Sequence, residues 1–254
     1  MRKSTILLAS ILLLAAQLQG QEAIFFADHP TLSPDGSTVI FSYESDLWTA
    51  STSGNAPATR LTAMDGDENN PVISPNGKWL VFASNQFGNN DLYIMPTGGG
   101  AIRQLTYHQA SDVPASWSWD NETIYFTSNR ENRMTTFSMS TKGGTPQRLF
   151  GHYHNIIHNV AAAPNGDLYF NETWESSMFT HRKRYKGSYN PDIKSYHPKT
   201  KKYKQHTTYN GKDMWTTIDK NNKVYFVSDE ANGEYNLYTF EDGKKKQLTK
   251  FDES

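Results

Sequence analysis

One turn signature recurs five times along this 254-residue chain, and no other feature restricts its possible folds so strongly. The first copy reads Ser33-Pro34-Asp35-Gly36, then Thr38 to Ser42, Asp46-Leu47-Trp48 and Arg60-Leu61-Thr62. The second reads Ser74-Pro75-Asn76-Gly77, then Trp79 to Ser84, Asp91-Leu92-Tyr93-Ile94 and Gln104-Leu105-Thr106. In the third, Ser118-Trp119-Asp120-Asn121 leads to Thr123 to Ser128, Thr136-Phe137-Ser138 and Arg148-Leu149-Phe150. A fourth opens at Ala163-Pro164-Asn165-Gly166 with Leu168-Tyr169-Phe170. The fifth has a degraded turn, Asp219 to Asn222, then Val224-Tyr225-Phe226, Asn236-Leu237-Tyr238 and Gln247-Leu248-Thr249.

Each part has a physical role. Proline pre-sets φ at the second turn position, Asp or Asn bonds the nearby backbone, and Gly accepts the exit geometry. The short β-branched or aromatic runs between turn residues read as strands buried on both faces. A second shared turn, Ser84 to Asn90, is matched by Ser128 to Asn132 and Ser228 to Gly233. A unit of four short strands cannot bury both faces alone, so copies must stack, and radial stacking around a channel is a β-propeller. The expected fold class is therefore all-β, a propeller of four-stranded blades at about 24–62, 63–106, 107–150, 151–207 and 208–254. A β-sandwich also uses many short strands but does not predict this periodicity.

Arg2 and Lys3 precede an apolar run from Ile6 to Ala16 and a polar stretch from Gln17 to Glu22, the layout of a secretory signal peptide. The run is short against the roughly 20 residues of a membrane-spanning helix, which disfavours a retained anchor. Residues 1–20 are expected to be the signal peptide and 21–254 one propeller domain, in an exported, periplasmic or secreted protein. The chain has no cysteine, which excludes disulfides, thiolate nucleophiles and zinc-thiolate sites. Residues 21–120 hold 3 Lys/Arg and 11 Asp/Glu, and 121–254 hold 20 and 15, so the two halves present opposite fields within a formal net charge of −1.

The repeat resembles the TolB-type, WD-like propeller unit: a Ser-Pro-Asp-Gly turn, an apolar strand, a Gly-Asn turn, an Ile/Leu-Tyr strand and a closing Leu-Thr. The whole mature chain resembles the N-terminal propeller of bacterial tricorn-like serine peptidases. The fourth copy carries the narrower likeness through Arg182-Lys183-Arg184-Tyr185-Lys186-Gly187 and Pro191-Asp192-Ile193, although Lys194 stands where that group has Trp. The resemblance implies a six-bladed propeller followed by a second propeller, a PDZ module and a peptidase domain with the catalytic serine. Repeat phase places a sixth turn at roughly position 261, past Ser254. The chain is thus expected to be an N-terminal fragment or truncated product with five of six blades.

No Gly-x-Ser-x-Gly elbow or serine with a local base is present, and the serines cluster in repeat turns. No catalytic, cofactor-binding or metal-binding residue is assigned. His152, His154 and His158 have spacing that could converge on an ion, but they fall between blades, where solvated or stacking histidines are ordinary. Asp65 to Asn70 faintly resembles a calcium loop but lacks its bidentate glutamate. Arg182 to Lys204 holds nine Lys/Arg with interleaved tyrosines, a polyanion-binding composition. Export argues against nucleic acid, leaving a solvated insertion or a docking surface for an acidic peptide or another domain. Asp46 and Asp91 could pair for glycan hydrolysis, yet Asn236 at the same phase points to a turn role.

The resemblance implies a propeller that docks, gates or selects oligopeptides while hydrolysis occurs elsewhere. The alternative is a free-standing TolB-like scaffold for protein-protein interaction. Expected partners are a peptide or protein, including the later domains of such a peptidase, with no nucleic acid and no stable membrane anchor.

Overall fold

The computed structural model describes residues 27–131, 133–151, 156–173, 182, 184–187 and 189–252. The expected signal peptide lies outside the described residues. Among the described residues, twenty strands form five antiparallel four-stranded sheets in which spatial order follows sequence order, and no helix occurs. The first sheet comprises β1 (Asp28–Leu32), β2 (Thr38–Tyr43), β3 (Asp46–Ser51) and β4 (Thr59–Arg60). The second comprises β5 (Glu68–Ile73), β6 (Trp79–Ser84), β7 (Asp91–Pro96) and β8 (Arg103–Gln104). The third comprises β9 (Asp112–Trp117), β10 (Thr123–Glu131), β11 (Arg133–Ser140) and β12 (Gln147–Arg148). The fourth comprises β13 (Ile157–Ala162), β14 (Leu168–Glu172), β15 (Lys194–His197) and β16 (Lys202–Gln205), and the fifth β17 (Asp213–Ile218), β18 (Val224–Ser228), β19 (Asn236–Glu241) and β20 (Lys244–Gln247).

First strands touch in succession, β1 to β5 to β9 to β13 to β17, so the sheets radiate from a common centre as a five-bladed propeller. The repeat pattern predicts this architecture. Among the described residues, no strand of the first blade contacts one of the fifth.

The turn signature works as its residue types require. Ser33 donates to Asp35 Oδ1 at 2.6 Å and accepts the Thr38 N–H at 3.0 Å, while Gly36 N–H donates to the Ser33 carbonyl at 2.8 Å. Ser74 and Ser118 organise the same set around Asn76 and Asp120. The fourth turn residue has positive φ in every blade: Gly36 73°, Gly77 71°, Asn121 66°, Gly166 91° and Asn222 61°. Gly and Asn tolerate this region best. Asparagine here is no degraded glycine. Asn121 Oδ1 accepts the Asn76 N–H at 2.8 Å, and Asn222 Oδ1 accepts the Asn165 N–H at 2.9 Å, each tying one blade's turn to its neighbour's.

The closing tripeptide is a second device. Its Arg or Gln side chain caps the carbonyl two residues on, as Gln104 does to Thr106 at 2.8 Å and Gln247 to Thr249 at 2.7 Å. The threonine hydroxyl accepts the N–H of Leu47, Leu92, Ile193 or Leu237 at 2.8–2.9 Å, satisfying a donor beside the third strand. Blade three has Phe150 instead, whose buried ring packs against Phe170 and Tyr196 at 4.9 and 5.4 Å. Blade three also departs from the expected turn at Ser128 to Asn132, since β10 and β11 continue to Glu131 and Arg133 with a register shift after Ser128.

Apolar side chains cluster between sheets. Ile40 and Leu47 of the first blade pack with Leu80, Phe82 and Tyr93 of the second, and Val81 and Leu92 of the second with Phe126 and Phe137 of the third. Smaller clusters join blade four to blades three and five. In blades two, three and five the middle strands set an aromatic pair directly opposite each other, Phe82–Tyr93, Phe126–Phe137 and Phe226–Tyr238, stacked at 5.8–5.9 Å. The outermost strands of blades four and five carry Lys202 and Lys204, and Lys244, Lys245 and Lys246, along edges with no further strand partner.

Candidate functional site

All five inner strands are sheet edges that face a common channel of about 860 Å³. Their sequences fit that position. Pro30, Pro71 and Pro114 sit inside β1, β5 and β9, and a residue without an N–H is tolerated only on an edge. Each inner strand also changes register against the second strand midway along its length. In four blades the bulge puts a non-glycine residue at positive φ: His29 at 48°, Asn70 at 51°, Asn159 at 54° and Trp215 at 56°. All four line the channel. Bulges of this kind re-aim side chains, and strained backbone concentrates at functional positions. Among the described residues, the titratable side chains on the wall are His29, Asp219 and Lys220.

Buried carboxyl groups mark the end of the channel where inner strands begin, but they face blade seams. Glu68, Asp112 and Asp213 open β5, β9 and β17, and all three are buried. Each lies close to an acid of the preceding blade: Asp46, Asp91 and Asp192 respectively. Burial, reinforced by the charge of Asp46 and opposed by the Thr62 hydrogen bond, pushes the Glu68 carboxyl up to about 7. Burial also raises Asp91 and Asp192, with the charges of Asp112 and Asp213 adding to the effect, and raises Asp213 against the Ser228 hydrogen bond and the Lys245 charge. Cations offset part of this repulsion: Arg60 on Asp46 at 2.6 Å, Arg130 on Asp112 at 2.5 Å and Lys245 on Asp213 at 3.2 Å. Glu68 instead accepts from Thr62 at 3.0 Å and Ser84 at 3.4 Å. None of these carboxyl groups lines the channel, so Asp46 and Asp91 do not form an acid pair aimed into it.

The other sequence candidates scatter. His152 and His154 lie outside the described residues. His158 is buried in β13 with Nε2 2.6 Å from the Thr173 carbonyl, which can only accept, so Nε2 carries the proton. Burial lowers its pKa, keeping the ring neutral. The Asp65 to Asn70 segment is a blade clasp: Asp67 N–H donates to Asn85 Oδ1 at 2.7 Å, and Asn85 Nδ2 donates back to Asp67 Oδ2 at 3.0 Å. Gly66, at φ 100°, lets this approach happen, because a Cβ there would come within 2.5 Å of Asn85 Oδ1. Among the described residues, no three His, Asp or Glu side chains converge as metal ligands.

The basic stretch divides. Lys183 lies outside the described residues, Arg184 pairs with Glu234 of blade five at 2.8 Å, and Lys194 pairs with Glu172 at 2.9 Å. Lys186 sits over the Tyr209 ring at 5.6 Å. Lys202 and Lys204 lie apart on the outer edge. Among the described residues, no helix is long and apolar enough to cross a membrane.

Sequence reasoning missed Asn70, Asn159 and Trp215. The available signal was positional: each inner strand immediately precedes a turn signature, and two of the first three such segments carry Asn or His beside Pro, as in His29-Pro30 and Asn70-Pro71.

A sequence profile of the tricorn protease N-terminal beta propeller domain matches residues 25–254. Tricorn protease homolog 1 of Streptomyces coelicolor is 34% identical over 74 residues, covering 29% of this chain and 7% of that protein. Matches to curated relatives span between 6% and 17% of those proteins' lengths. The crystal structure of the tricorn protease superposes with a TM-score of 0.72 at 17% identity, over 90% of this chain and 23% of that one. A TolB-type protein of Agrobacterium tumefaciens superposes at 0.70 and 20% identity, over 88% and 80%. With 230 of its 254 residues inside the profile, five blades and an open-ended inner wall, the chain belongs to the family of tricorn protease N-terminal β-propeller domains.

Proposed function

We propose that this propeller is the substrate-handling module of an exported tricorn-like serine peptidase, threading or docking oligopeptides in its central channel while peptide-bond hydrolysis takes place outside the present sequence. One observation carries the reading: edges of all five inner strands converge on a channel whose wall, among the described residues, holds three titratable side chains. An extended peptide needs backbone partners and contact surface, and an edge strand offers both. Six inner-strand residues at about 3.3 Å each give a wall roughly 20 Å long, room for about six extended residues. Family membership supports the peptidase context.

The test fills the channel. Ala161 lies on its wall. Ala161→Trp is expected to keep the β-rich circular dichroism spectrum while weakening binding of a fluorescein-labelled oligopeptide mixture at least tenfold, read by anisotropy. Unchanged binding in a folded variant overturns the channel reading. Export is tested separately: expression in a Gram-negative host should give a periplasmic product shortened by about 20 residues. A full-length cytoplasmic product counts against it.

The alternative, a free-standing TolB-like scaffold, draws on the superposition that covers 80% of the Agrobacterium chain. It places partner contacts on the loops, so it predicts that Ala161→Trp leaves partner binding intact.

A further inference from the structure

We infer that Trp215 makes the channel selective for peptides that present an uncharged aromatic or proline side chain at its bulge ring, and that it discriminates against charged residues there. This rests on the peptide-handling reading of the same channel.

Among the described residues three tryptophans line the channel, and they are not equivalent. Trp117 is buried and donates its indole N–H to the Val72 carbonyl at 3.0 Å. Trp119 donates to the Ala162 carbonyl at 2.7 Å. Both bonds bridge neighbouring blades, so both rings serve the seams. Trp215 is 41% exposed on the channel wall. It also holds φ at 56°, a region that bulky side chains almost never adopt, so its surroundings must enforce the conformation.

Asn171 enforces it. Asn171 is fully buried, donates from Nδ2 to the carbonyls of Asp192 at 2.9 Å and Asp213 at 3.0 Å, and accepts the Trp215 N–H on Oδ1 at 3.2 Å. One side-chain amide thus pins the strand just before the bulge and at its first residue. Tyr235 meets the indole edge-on at 6.1 Å and supports it from the side. A backbone strained and clamped to hold an indole toward a channel is a positioned recognition surface.

The remaining wall decides what that surface prefers. Around the same ring stand Asn70 and Asn159, neutral groups that both donate and accept, and His29. Asp219 and Lys220 belong to the turn after β17 rather than to the bulge ring. A charged side chain entering the ring would leave water without a counter-charge among the bulge residues of β5, β13 and β17, whereas an aromatic or prolyl ring would stack on indole.

The experiment uses the full chain and three labelled octapeptides of Gly/Ser background with Phe, Pro or Glu at the two central positions. Expected is at least tenfold tighter binding of the Phe and Pro peptides than the Glu peptide, with quenching of tryptophan fluorescence. Trp215→Gly, which relieves the positive φ, should bring all three peptides to the weakest affinity. Trp215→Tyr should keep the rank order, and a loss of preference in the glycine variant but not the tyrosine variant separates recognition from misfolding. Equal binding of all three peptides to the unaltered chain, or an unchanged preference in Trp215→Gly, overturns the selectivity while leaving peptide handling standing. No binding by any peptide overturns both.

Discussion

Glu68 shows how one carboxyl group can set the pH response of a seam. Its unfolded value is that of an ordinary glutamate, 4.5, and its folded value is about 7. Between those values folding takes up a proton at Glu68, so the stability this group contributes is fully present below pH 4.5 and is lost as pH rises through about 7. The contribution is at most about 3 kcal/mol. Thermal unfolding followed from pH 5 to 8 should therefore show a falling Tm, and Glu68→Gln should flatten that fall, since a neutral amide replaces the protonated acid. A Glu68→Gln variant with the same pH slope as the unaltered protein would place the titration elsewhere. Asp112 and Asp213 stand at equivalent positions but have Arg130 and Lys245 against them, so Asp→Asn at either removes an ion-pair partner and should destabilise wherever the acid is ionised.

At the scale of the element, the turn is where sequence and structure can be compared most closely. Asn222 combines a positive φ with an interblade hydrogen bond. Asn222→Gly keeps the first and loses the second, so it should cost about 0.5–1.5 kcal/mol, while Asn222→Ala should cost more because it adds left-handed strain. An Asn222→Gly variant that melts at the Tm of the unaltered protein would show that the bond contributes nothing.

The positions of these turns, the strands that follow and the closing Leu-Thr were legible because each depends on local chemistry repeated at a fixed phase. The role of asparagine at the fourth turn position was not, because its partner, Asn76 or Asn165, belongs to the preceding blade, 45 or 57 residues earlier. Trp215 was hidden for a related reason: its importance lies in a φ value and in Asn171, neither of which leaves a periodic trace. The Asp65 to Asn70 segment misled in the opposite sense, since acids and amides suited to an ion also suit a clasp with Asn85.

For the whole molecule, burial is uneven around the ring. β6 and β7 are buried along nearly their whole length, whereas β16 is exposed throughout. Local opening should follow that gradient. Hydrogen-deuterium exchange is expected to be slowest in peptides spanning Leu80 to Met95 and fastest in those spanning Lys202 to Gln205. Uniform protection would mean that the blades open as a single cooperative unit. The five-bladed class itself needed no site-level knowledge, because no stacking scheme other than a radial one buries both faces of so many short sheets in sequence order.

The lysines on β16 and β20 have a consequence for handling as well as for the fold. An outer strand with unpaired amides invites a second molecule to continue the sheet, and a row of positive charges makes that approach repulsive. Replacing Lys202, Lys204 and Lys244 by Gln, which leaves the Lys245–Asp213 pair intact, should leave each propeller folded but let rims zip together, so that dynamic light scattering records growth into filaments that sodium chloride at modest concentration does not reverse. The charges on these two strands would then act as gatekeepers of solubility, a task separate from anything the channel does.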